Sequence, residues 1–215
     1  MEKDLSNYRK SYEKGALLDA SIAVDPMELF QQWFYEIDNH FKEDESNAMT
    51  LSTIGLDGYP KNRVVLLKKF TYDGFIFYTN HESEKGKAIA ANPNVSLSFH
   101  WASAERQVIV KGVAVKIAAH LSDEYFESRP RGSKLGAIVS PQSSVITNRS
   151  VLEAKLESLD LEYQNKDIKR PKFWGGYIVN PVEVEFWQGR ANRLHDRVRY
   201  QILPNTSWKI ERLAP

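Results

Sequence analysis

The first regular pattern of apolar residues lies between residues 25 and 41. Asp25 can cap a helix and Pro26 suits its first turn. The apolar positions that follow at helical spacing are Phe30, Phe34, Ile37 and Phe41. The spacing predicts a helix with one buried face. Residues 1–24 are mostly polar and predict an N-terminal arm, which composition alone favours as a mobile terminus.

From residue 48 onward, short apolar or alternating runs are separated by turn residues, which predicts strands. Before residue 120 these runs are 49–54, 63–69, 75–79, 95–101 and 106–117, with a short helix at 83–91. Residues 121–165 return to helical spacing, with helices expected to open at Ser122, Gly132 and Asn148. Four further strands are predicted at 174–179, 182–187, 193–202 and 208–213.

Strands and helices do not alternate regularly along the chain, so a doubly wound parallel sheet is not expected. The pattern instead predicts a mainly β (α+β) fold, in which about eight antiparallel strands close into a barrel with inserted and flanking helices. We expect residues 25–215 to form a single domain behind the arm.

Composition narrows the possible functions. The 215 residues include 29 basic and 28 acidic side chains, a balance that argues against a general nucleic-acid binder. Cysteine is absent, which excludes disulfides, thiolate metal sites and cysteine nucleophiles. The five histidines lack metal-ligand spacing, so no metal site is predicted. No run approaches the roughly 20 apolar residues of a membrane span, and a cytoplasmic protein without a membrane partner is expected.

The densest cluster of candidate chemistry is the segment from Arg193 to Arg197. Alternate residues of a strand share a face, so Arg193, His195 and Arg197 are expected to project together. Such a group of cations favours an anion between them. A solvated strand face with nearby acidic residues explains the same pattern, and the residues alone leave both interpretations open.

A second candidate set is Tyr125, Arg129 and Ser133. The first two are four residues apart and share a face if helical, and Ser133 follows near a predicted helix start. A guanidinium, hydroxyl donors and a helix N-terminus together suit a phosphate. The alternative is an ordinary helix end with basic residues.

The apolar run from Arg63 to Lys68 has a cation at each end. Five residues apart, these two side chains face opposite sides of a regular strand, so they can serve one site only if the strand is interrupted. The alternative is a core strand with polar ends. Gln107 is a polar residue on an otherwise apolar strand, where it faces either a site or solvent.

Taken in order, these segments resemble the pyridoxine/pyridoxamine 5'-phosphate oxidase family over nearly the whole chain. The stretches that carry the resemblance are Arg63–Lys68, Phe77–Asn80, Glu105–Val108, Tyr125–Arg131, Gln142–Ser144, Phe173–Gly176, Glu185–Gly189 and Arg193–Arg197. The resemblance implies a split β-barrel that binds flavin mononucleotide (FMN) at a homodimer interface.

The resemblance also implies roles for individual residues. Those expected to hold FMN are Arg63, Val64, Val65, Leu66, Leu67, Lys68, Tyr78, Thr79, Lys85, Gln107, Gln142, Ser143, Trp187 and Arg197. Those expected to hold the substrate are Arg9, Tyr12, Lys68, Tyr125, Arg129, Ser133, Arg193, Leu194 and His195, with Arg193 and His195 as the catalytic pair. Arg9 and Tyr12 match a mobile arm that closes over the substrate.

By this resemblance the chain oxidises pyridoxamine 5'-phosphate and pyridoxine 5'-phosphate to pyridoxal 5'-phosphate, with dioxygen as the acceptor. One position departs from the family, because Glu84 stands where a second basic residue is common before Lys85. The alternatives are another split-barrel flavin oxidoreductase, a flavin or pyridoxal-phosphate carrier without turnover, and a β-barrel nucleic-acid binder. The third requires a basic surface that the charge balance does not favour.

Overall fold

A computed structural model describes residues 2–41, 43 and 45–215 of the chain. Met1, the first residue of the predicted arm, therefore lies outside the described residues. The helices are Pro26–His40 (α1), Glu84–Ala91 (α2), Ala119–Ser128 (α3), Arg131–Val139 (α4) and Ser150–Glu162 (α5). The strands are Ala48–Ile54 (β1), Pro60–Leu66 (β2), Lys69–Thr71 (β3), Gly74–Asn80 (β4), Asn94–Trp101 (β5), Arg106–Lys116 (β6), Trp174–Gln188 (β7), Asp196–Ile202 (β8) and Trp208–Leu213 (β9). Short 3₁₀ turns occupy Asp19–Ser21 and Ala191–Arg193.

Within the described ranges, the nine strands form one sheet in the order β2-β1-β5-β6-β7-β4-β3, and β8 and β9 continue from β7. The mainly β prediction with inserted helices is confirmed. No helix in the described part of the chain combines the length and the apolar character that crossing a bilayer requires.

Helix α1 forms where the apolar spacing predicts it. The Asp25 carboxylate accepts a hydrogen bond from the Met27 N–H at 2.7 Å and caps the first turn. Phe30 is fully buried, and its ring centre lies 5.0 Å from that of Phe99. Burying such a side chain contributes about 1.5–3 kcal/mol. The predicted face was partly wrong, because Phe41 follows the end of the helix.

The described residues divide into two compact units. One, the terminal unit, combines the described residues of Met1–Thr50 with Ser96–Lys111 and Pro181–Pro215. The other, the central unit, combines Leu51–Val95 with Gly112–Asn180.

In the terminal unit, β7 pairs antiparallel with β8 between Glu183 and Gln188, and β8 pairs with β9. Its buried core is rich in aromatic residues. Tyr200 is fully buried, and its hydroxyl donates to the Ala23 carbonyl at 2.8 Å. A buried tyrosine thus fixes the polypeptide just before α1.

In the central unit, β4 pairs with β7 from Phe75↔Val179 to Asn80↔Trp174, and β3 pairs with β4. A separate cluster of Phe126, Leu135, Ile168 and Trp174 packs below helices α3 and α4. This cluster fixes the segment on which the candidate phosphate residues lie.

Predicted strand boundaries were wrong at β2 and β7. Strand β2 begins at Pro60 and ends at Leu66, so it stops before Lys68. The two strands expected at 174–187 are one strand, β7. Pro181 lies between the part of β7 that pairs with β4 and the part that pairs with β8.

Three helix starts and the last strand but one also differ from the prediction. Helix α5 begins at Ser150, two residues after Asn148. Helix α3 begins at Ala119, ahead of Ser122, and α4 begins at Arg131. Strand β8 begins at Asp196, three residues after the predicted start.

Candidate active site

A cavity of about 640 Å³ lies within the central unit and is called the central cavity. Its lining residues are Arg63, Val64, Val65, Leu66, Lys68, Tyr78, Thr79, Lys85, Tyr125, Arg129, Pro130, Ser133, Gln142 and Trp174. The structure therefore brings the predicted phosphate set of Tyr125, Arg129 and Ser133 together with most of the residues expected to hold FMN.

Arg129 reaches this cavity because the chain leaves the helix at Pro130. The residue before a proline disfavours the helical conformation, and Arg129 takes up an extended one, with φ −72° and ψ 145°. Its guanidinium lies 4.7 Å from the ring centre of Trp174 and 5.6 Å from that of Phe126. Its Nη1 atom is buried without a hydrogen-bond partner among the described residues. Such a cation is ready to bind an anion.

Three aromatic rings form a stack beside Arg129. The ring centres of Tyr78 and Tyr125 are 4.0 Å apart at 22°, and Trp174 lies 5.5 Å from Tyr78 and 6.1 Å from Tyr125. Burial raises the pKa of the Tyr125 hydroxyl above its ordinary value, and burial with the neighbouring Tyr125 does the same to the pKa of Tyr78. Both hydroxyls are therefore protonated near neutral pH and can donate hydrogen bonds to an anion.

A second group of polar residues lies near Gln142. Its Oε1 atom accepts hydrogen bonds from Lys85 Nζ at 2.9 Å and from Thr79 Oγ1 at 3.2 Å. Arg63 Nη1 donates to Thr53 Oγ1 at 2.8 Å and to the Leu51 carbonyl at 3.1 Å.

The electrostatics of this group favour a negative ligand. Burial lowers the pKa of Lys85, the charge of Arg63 lowers it further, and Glu84 opposes the shift. Burial likewise lowers the pKa values of Arg63 and Arg129. Four cationic side chains and no carboxylate are among the lining residues of the central cavity, so a bound phosphate would stabilise it.

Arg63 and Lys68 line the same cavity although five residues separate them. The prediction of opposite faces applied to a regular strand, but β2 ends at Leu66, and the Lys68 N–H instead donates to the Ile76 carbonyl at 2.8 Å. The interruption that a shared site requires is therefore present.

Ser143 borders a smaller neighbouring cavity of about 290 Å³, together with Gln142 and the acidic residues Asp57, Glu82 and Glu84. Glu84, the position that departs from the family, forms an ion pair with Lys61. Its carboxylate is therefore partly neutralised beside Lys85.

A cavity of about 650 Å³ lies within the terminal unit and is called the terminal cavity. Its lining residues are Tyr8, Arg9, Lys10, Ser11, Tyr12, Trp187, Arg190, Asn192, Arg193 and His195. The arm thus contributes half of the wall, and Arg193 and His195 contribute to the other half.

The prediction that Arg193, His195 and Arg197 share one face of a strand was wrong. Arg193 lies in the 3₁₀ turn, where Asn192 and Arg193 have φ values of 57° and 61°, and His195 precedes β8. Arg193 and His195 share the terminal cavity because the turn brings them together. Arg197 lies in β8 and forms two hydrogen bonds with the Glu185 carboxylate at 2.8 and 3.1 Å, which raise the pKa of its guanidinium.

His195 is oriented by a main-chain donor. The Arg190 N–H donates to His195 Nδ1 at 3.1 Å, so in the neutral ring the proton lies on Nε2. The ring centre of His195 is 4.8 Å from Trp187 and 5.6 Å from Tyr12. This arrangement leaves a hydrogen-bond donor for a ligand.

Some predicted residues are placed elsewhere in the described ranges. Leu67 is buried, Leu194 is 70% exposed, and Gln107 is partly buried on β6. None of these three residues is a lining residue of the central or the terminal cavity, and neither is Arg197. Their expected roles stay predictions.

Comparisons with known proteins decide the family. A family model described as pyridoxamine 5'-phosphate oxidase matches residues 37–162. The chain belongs to the pyridoxamine 5'-phosphate oxidase family. A second model, described as the pyridoxine 5'-phosphate oxidase C-terminal dimerisation region, matches residues 174–215.

Relatives of the family match over nearly the full chain. A pyridoxine/pyridoxamine 5'-phosphate oxidase from Flavobacterium psychrophilum is 65% identical over 99% of this chain and 100% of its own. The crystal structure of PhzG from Burkholderia lata, in complex with tetrahydrophenazine-1-carboxylic acid, is 27% identical with a TM-score of 0.86, over 96% and 100% of the two chains. A pyridoxamine 5'-phosphate oxidase-related, FMN-binding protein from Nostoc punctiforme has the same fold, with a TM-score of 0.71 at 16% identity over 91% and 99%.

The family assignment bears on assembly. Strands β7 to β9, with Trp187, Arg193 and His195 of the terminal cavity, fall within the matched dimerisation region. The match supports a homodimer.

Sequence reasoning missed several residues of this oxidase family member. Trp174 lies in the stretch Phe173–Gly176 that carries the resemblance, but its contact with Arg129 is visible only in the folded structure. Lys10 and Arg190 in the terminal cavity carried no local signal beyond their charge.

Proposed function

We propose that the chain is an FMN-dependent oxidase of phosphorylated B6 vitamers that acts as a homodimer with FMN at the subunit interface. Pyridoxamine 5'-phosphate, water and dioxygen give pyridoxal 5'-phosphate, ammonia and hydrogen peroxide. Pyridoxine 5'-phosphate and dioxygen give pyridoxal 5'-phosphate and hydrogen peroxide. The Flavobacterium psychrophilum relative carries the name of an oxidase for these two substrates, and its 65% identity supports the same reaction here.

The observation that carries the proposal is the buried, unpartnered Nη1 atom of Arg129 in the central cavity. Together with the protonated hydroxyl of Tyr125 and with Ser133 and Lys68, it offers hydrogen-bond donors that suit a phosphate dianion. Binding the phosphate away from the reacting carbon supplies energy that can orient the rest of the substrate.

The residues near Gln142 fit FMN. Arg63 and Lys85 provide positive charge for its phosphate, and Thr79 and Gln142 provide neutral polar groups. A bound FMN would supply the redox chemistry, as the acceptor of a hydride from the substrate C4' carbon and the electron donor to dioxygen. The protein has to bind and orient both ligands, which explains why no acid–base motif stands out in the sequence.

Arg193 and His195 are proposed to act at the pyridine ring. A guanidinium can lie flat against an aromatic ring, a role that suits the exposed Arg193. His195 would donate a hydrogen bond from Nε2 to the substrate, because its Nδ1 already accepts one from Arg190. Tyr12 packs edge-on against both Trp187 and His195 and would cover this end of the substrate.

The test is to purify the chain, reconstitute it with FMN and add pyridoxamine 5'-phosphate in air. The expected result is a yellow protein that forms aldehyde and hydrogen peroxide in equal amounts and turns over pyridoxine 5'-phosphate as well. Unphosphorylated pyridoxamine is the matched control and is expected to be a poor substrate. A yellow protein without product would favour the carrier, oxidation that ignores the phosphate would favour another flavin oxidoreductase, and failure to bind FMN would refute the proposal.

A further inference from the structure

Glu105 is a buried carboxylate in an unusual backbone conformation. It lies in the turn between β5 and β6, is 2% exposed and has a φ of 57°. A glutamate in the left-handed region and a buried charge both cost free energy, so they persist only where surrounding contacts compensate.

The compensating contacts come from the N-terminal arm. Glu105 Oε2 accepts hydrogen bonds from the N–H groups of Glu13 at 2.8 Å and Lys14 at 3.0 Å. Glu105 Oε1 pairs with Lys10 Nζ at 3.2 Å. Burial alone would raise the pKa of Glu105, but the hydrogen bonds from Lys14, Lys10 and Glu13 lower it on balance. The carboxylate is therefore charged when the arm is bound.

The main chain of Glu105 binds the segment between Trp187 and Arg190, two lining residues of the terminal cavity. Its carbonyl accepts hydrogen bonds from the Gly189 N–H at 2.8 Å and from Gln188 Nε2 at 3.2 Å. Gly189 in turn packs against the arm, because a Cβ atom there would lie 2.8 Å from Tyr12 Cγ. Glu105 thus links the arm residues that follow Tyr12 to the residues that follow Trp187.

We propose that Glu105 is a positioning residue that holds Tyr12 against Trp187 and His195 and thereby builds the arm side of the substrate site. Tyr12 directly precedes the first N–H that Glu105 binds, so fixing Glu13 fixes the tyrosine. The functional part of this inference rests on the proposed oxidase activity, whereas the anchoring part does not.

The anchoring is tested by trypsin cleavage after Lys14 in Glu105→Gln and in the control Glu157→Gln, an exposed glutamate on α5. The glutamine keeps the shape of the side chain but loses the charge and turns an N–H donor toward another donor. We expect cleavage to accelerate on the order of ten-fold in Glu105→Gln, as the loss of charge-assisted hydrogen bonds implies, and to stay unchanged in the control. Equal cleavage in all three proteins would overturn the anchor, whether or not the protein is an oxidase.

The path through Tyr12 is tested by a double-mutant cycle on substrate KM and on FMN affinity. We expect Glu105→Gln to raise KM roughly ten-fold in the natural background, but less than about two-fold in a Tyr12→Ala background, with FMN affinity unchanged. Equal effects in both backgrounds, or a matching loss of FMN, would indicate a general structural role and overturn the assignment. If no variant or natural protein turns over substrate, the oxidase proposal fails while the cleavage result stands.

Two further variants keep the inference testable if Glu105→Gln does not fold. Lys10→Met removes only the ion pair and should speed cleavage after Lys14 by a few-fold. Gly189→Ala should displace Tyr12 and raise KM, because the new Cβ would lie 2.8 Å from Tyr12 Cγ and 3.1 Å from Glu105 Cβ. Unchanged cleavage in the first variant and unchanged KM in the second would together refute the positioning role.

Discussion

The Arg129 guanidinium lies 4.7 Å from the ring centre of Trp174, and this contact fixes the cation at the wall of the central cavity. Trp174 is buried and begins β7, so it is held by the sheet and by the packing below α3 and α4. A side chain of the sheet thus orients a residue of the turn between two helices.

Arg129→Ala is expected to raise the KM for pyridoxamine 5'-phosphate by roughly 10- to 100-fold, because charge-assisted hydrogen bonds contribute about 1.5–3 kcal/mol. Steady-state kinetics measure the change. Arg131→Ala is the matched control, since that arginine pairs with Asp160 on α5 at 2.7 Å. An unchanged KM in Arg129→Ala would remove Arg129 from the phosphate site.

Trp174→Leu is expected to raise the same KM by about five-fold, since a cation–π contact contributes roughly 1 kcal/mol. Trp174→Phe keeps an aromatic face and should recover most of the loss. Recovery separates the ring contact from a general packing defect, which would also lower the melting temperature. If Trp174→Leu and Trp174→Phe raise KM equally, the aromatic face does not position Arg129.

Arg193→Ala is expected to lower kcat on the order of 100-fold while FMN affinity changes by less than about two-fold, because the residue is proposed to act on the substrate ring. Stopped-flow reduction and FMN fluorescence measure the two quantities. Arg149→Ala, on an exposed ion pair with Glu153, controls for the loss of an arginine. Normal turnover in Arg193→Ala would contradict the catalytic assignment.

Lys85→Ala is expected to weaken FMN binding by about ten-fold, because it removes a cation whose positive charge is only partly balanced. Fluorescence titration measures the dissociation constant. Lys155→Ala, which removes an exposed lysine on α5, is the control. Equal losses in the two variants would show a nonspecific charge effect.

The lowered pKa of His81 predicts that the stability of the protein depends on pH. Burial lowers its pKa to about 4 from 6.5, the charges of Lys116 and Arg170 act in the same direction, and its Nε2 is buried without a partner among the described residues. A histidine with a lowered folded pKa resists protonation, so the free energy of unfolding should fall as the pH drops from about 6.5 toward 4.

We expect this loss to be on the order of 2 kcal/mol, allowing for partial solvent screening. Denaturant unfolding at several pH values measures it. His81→Gln should flatten the curve in this window, and the exposed His100→Gln should not. A natural protein with constant stability down to pH 4 would contradict the assignment.

The alternation of apolar residues predicted most strands, but side-chain direction failed where the backbone left regular geometry. The backbone of Asn192 and Arg193 lies in the left-handed region. The alternation of a regular strand therefore does not apply here, and the predicted shared face of Arg193 to Arg197 does not exist. Asparagine tolerates this conformation, which was the available signal.

The prediction that Tyr125 and Arg129 share a helix face was correct about their proximity but not about its cause. Arg129 shares the cavity with Tyr125 although it lies outside α3, because Pro130 turns the chain at that point. The anchoring of the arm depended on contacts 92 and 179 residues apart in sequence, from Glu105 to Glu13 and from Asp196 to Leu17, which no local pattern predicts.

The arm is bound largely through its main chain. Glu105 and Asp196 accept hydrogen bonds from peptide N–H groups, and Arg212 donates to the Leu17 carbonyl. Every residue except proline has a peptide N–H, so the amino acid at position 13 can change during evolution without loosening the segment, whereas Lys14 also donates from Nζ to the Ser103 carbonyl at 2.6 Å. Saturation mutagenesis would then find position 13 permissive to every residue except proline and the distant acceptors Glu105 and Asp196 intolerant, with Gly15 constrained because a Cβ there would lie 2.9 Å from Gln188 Oε1.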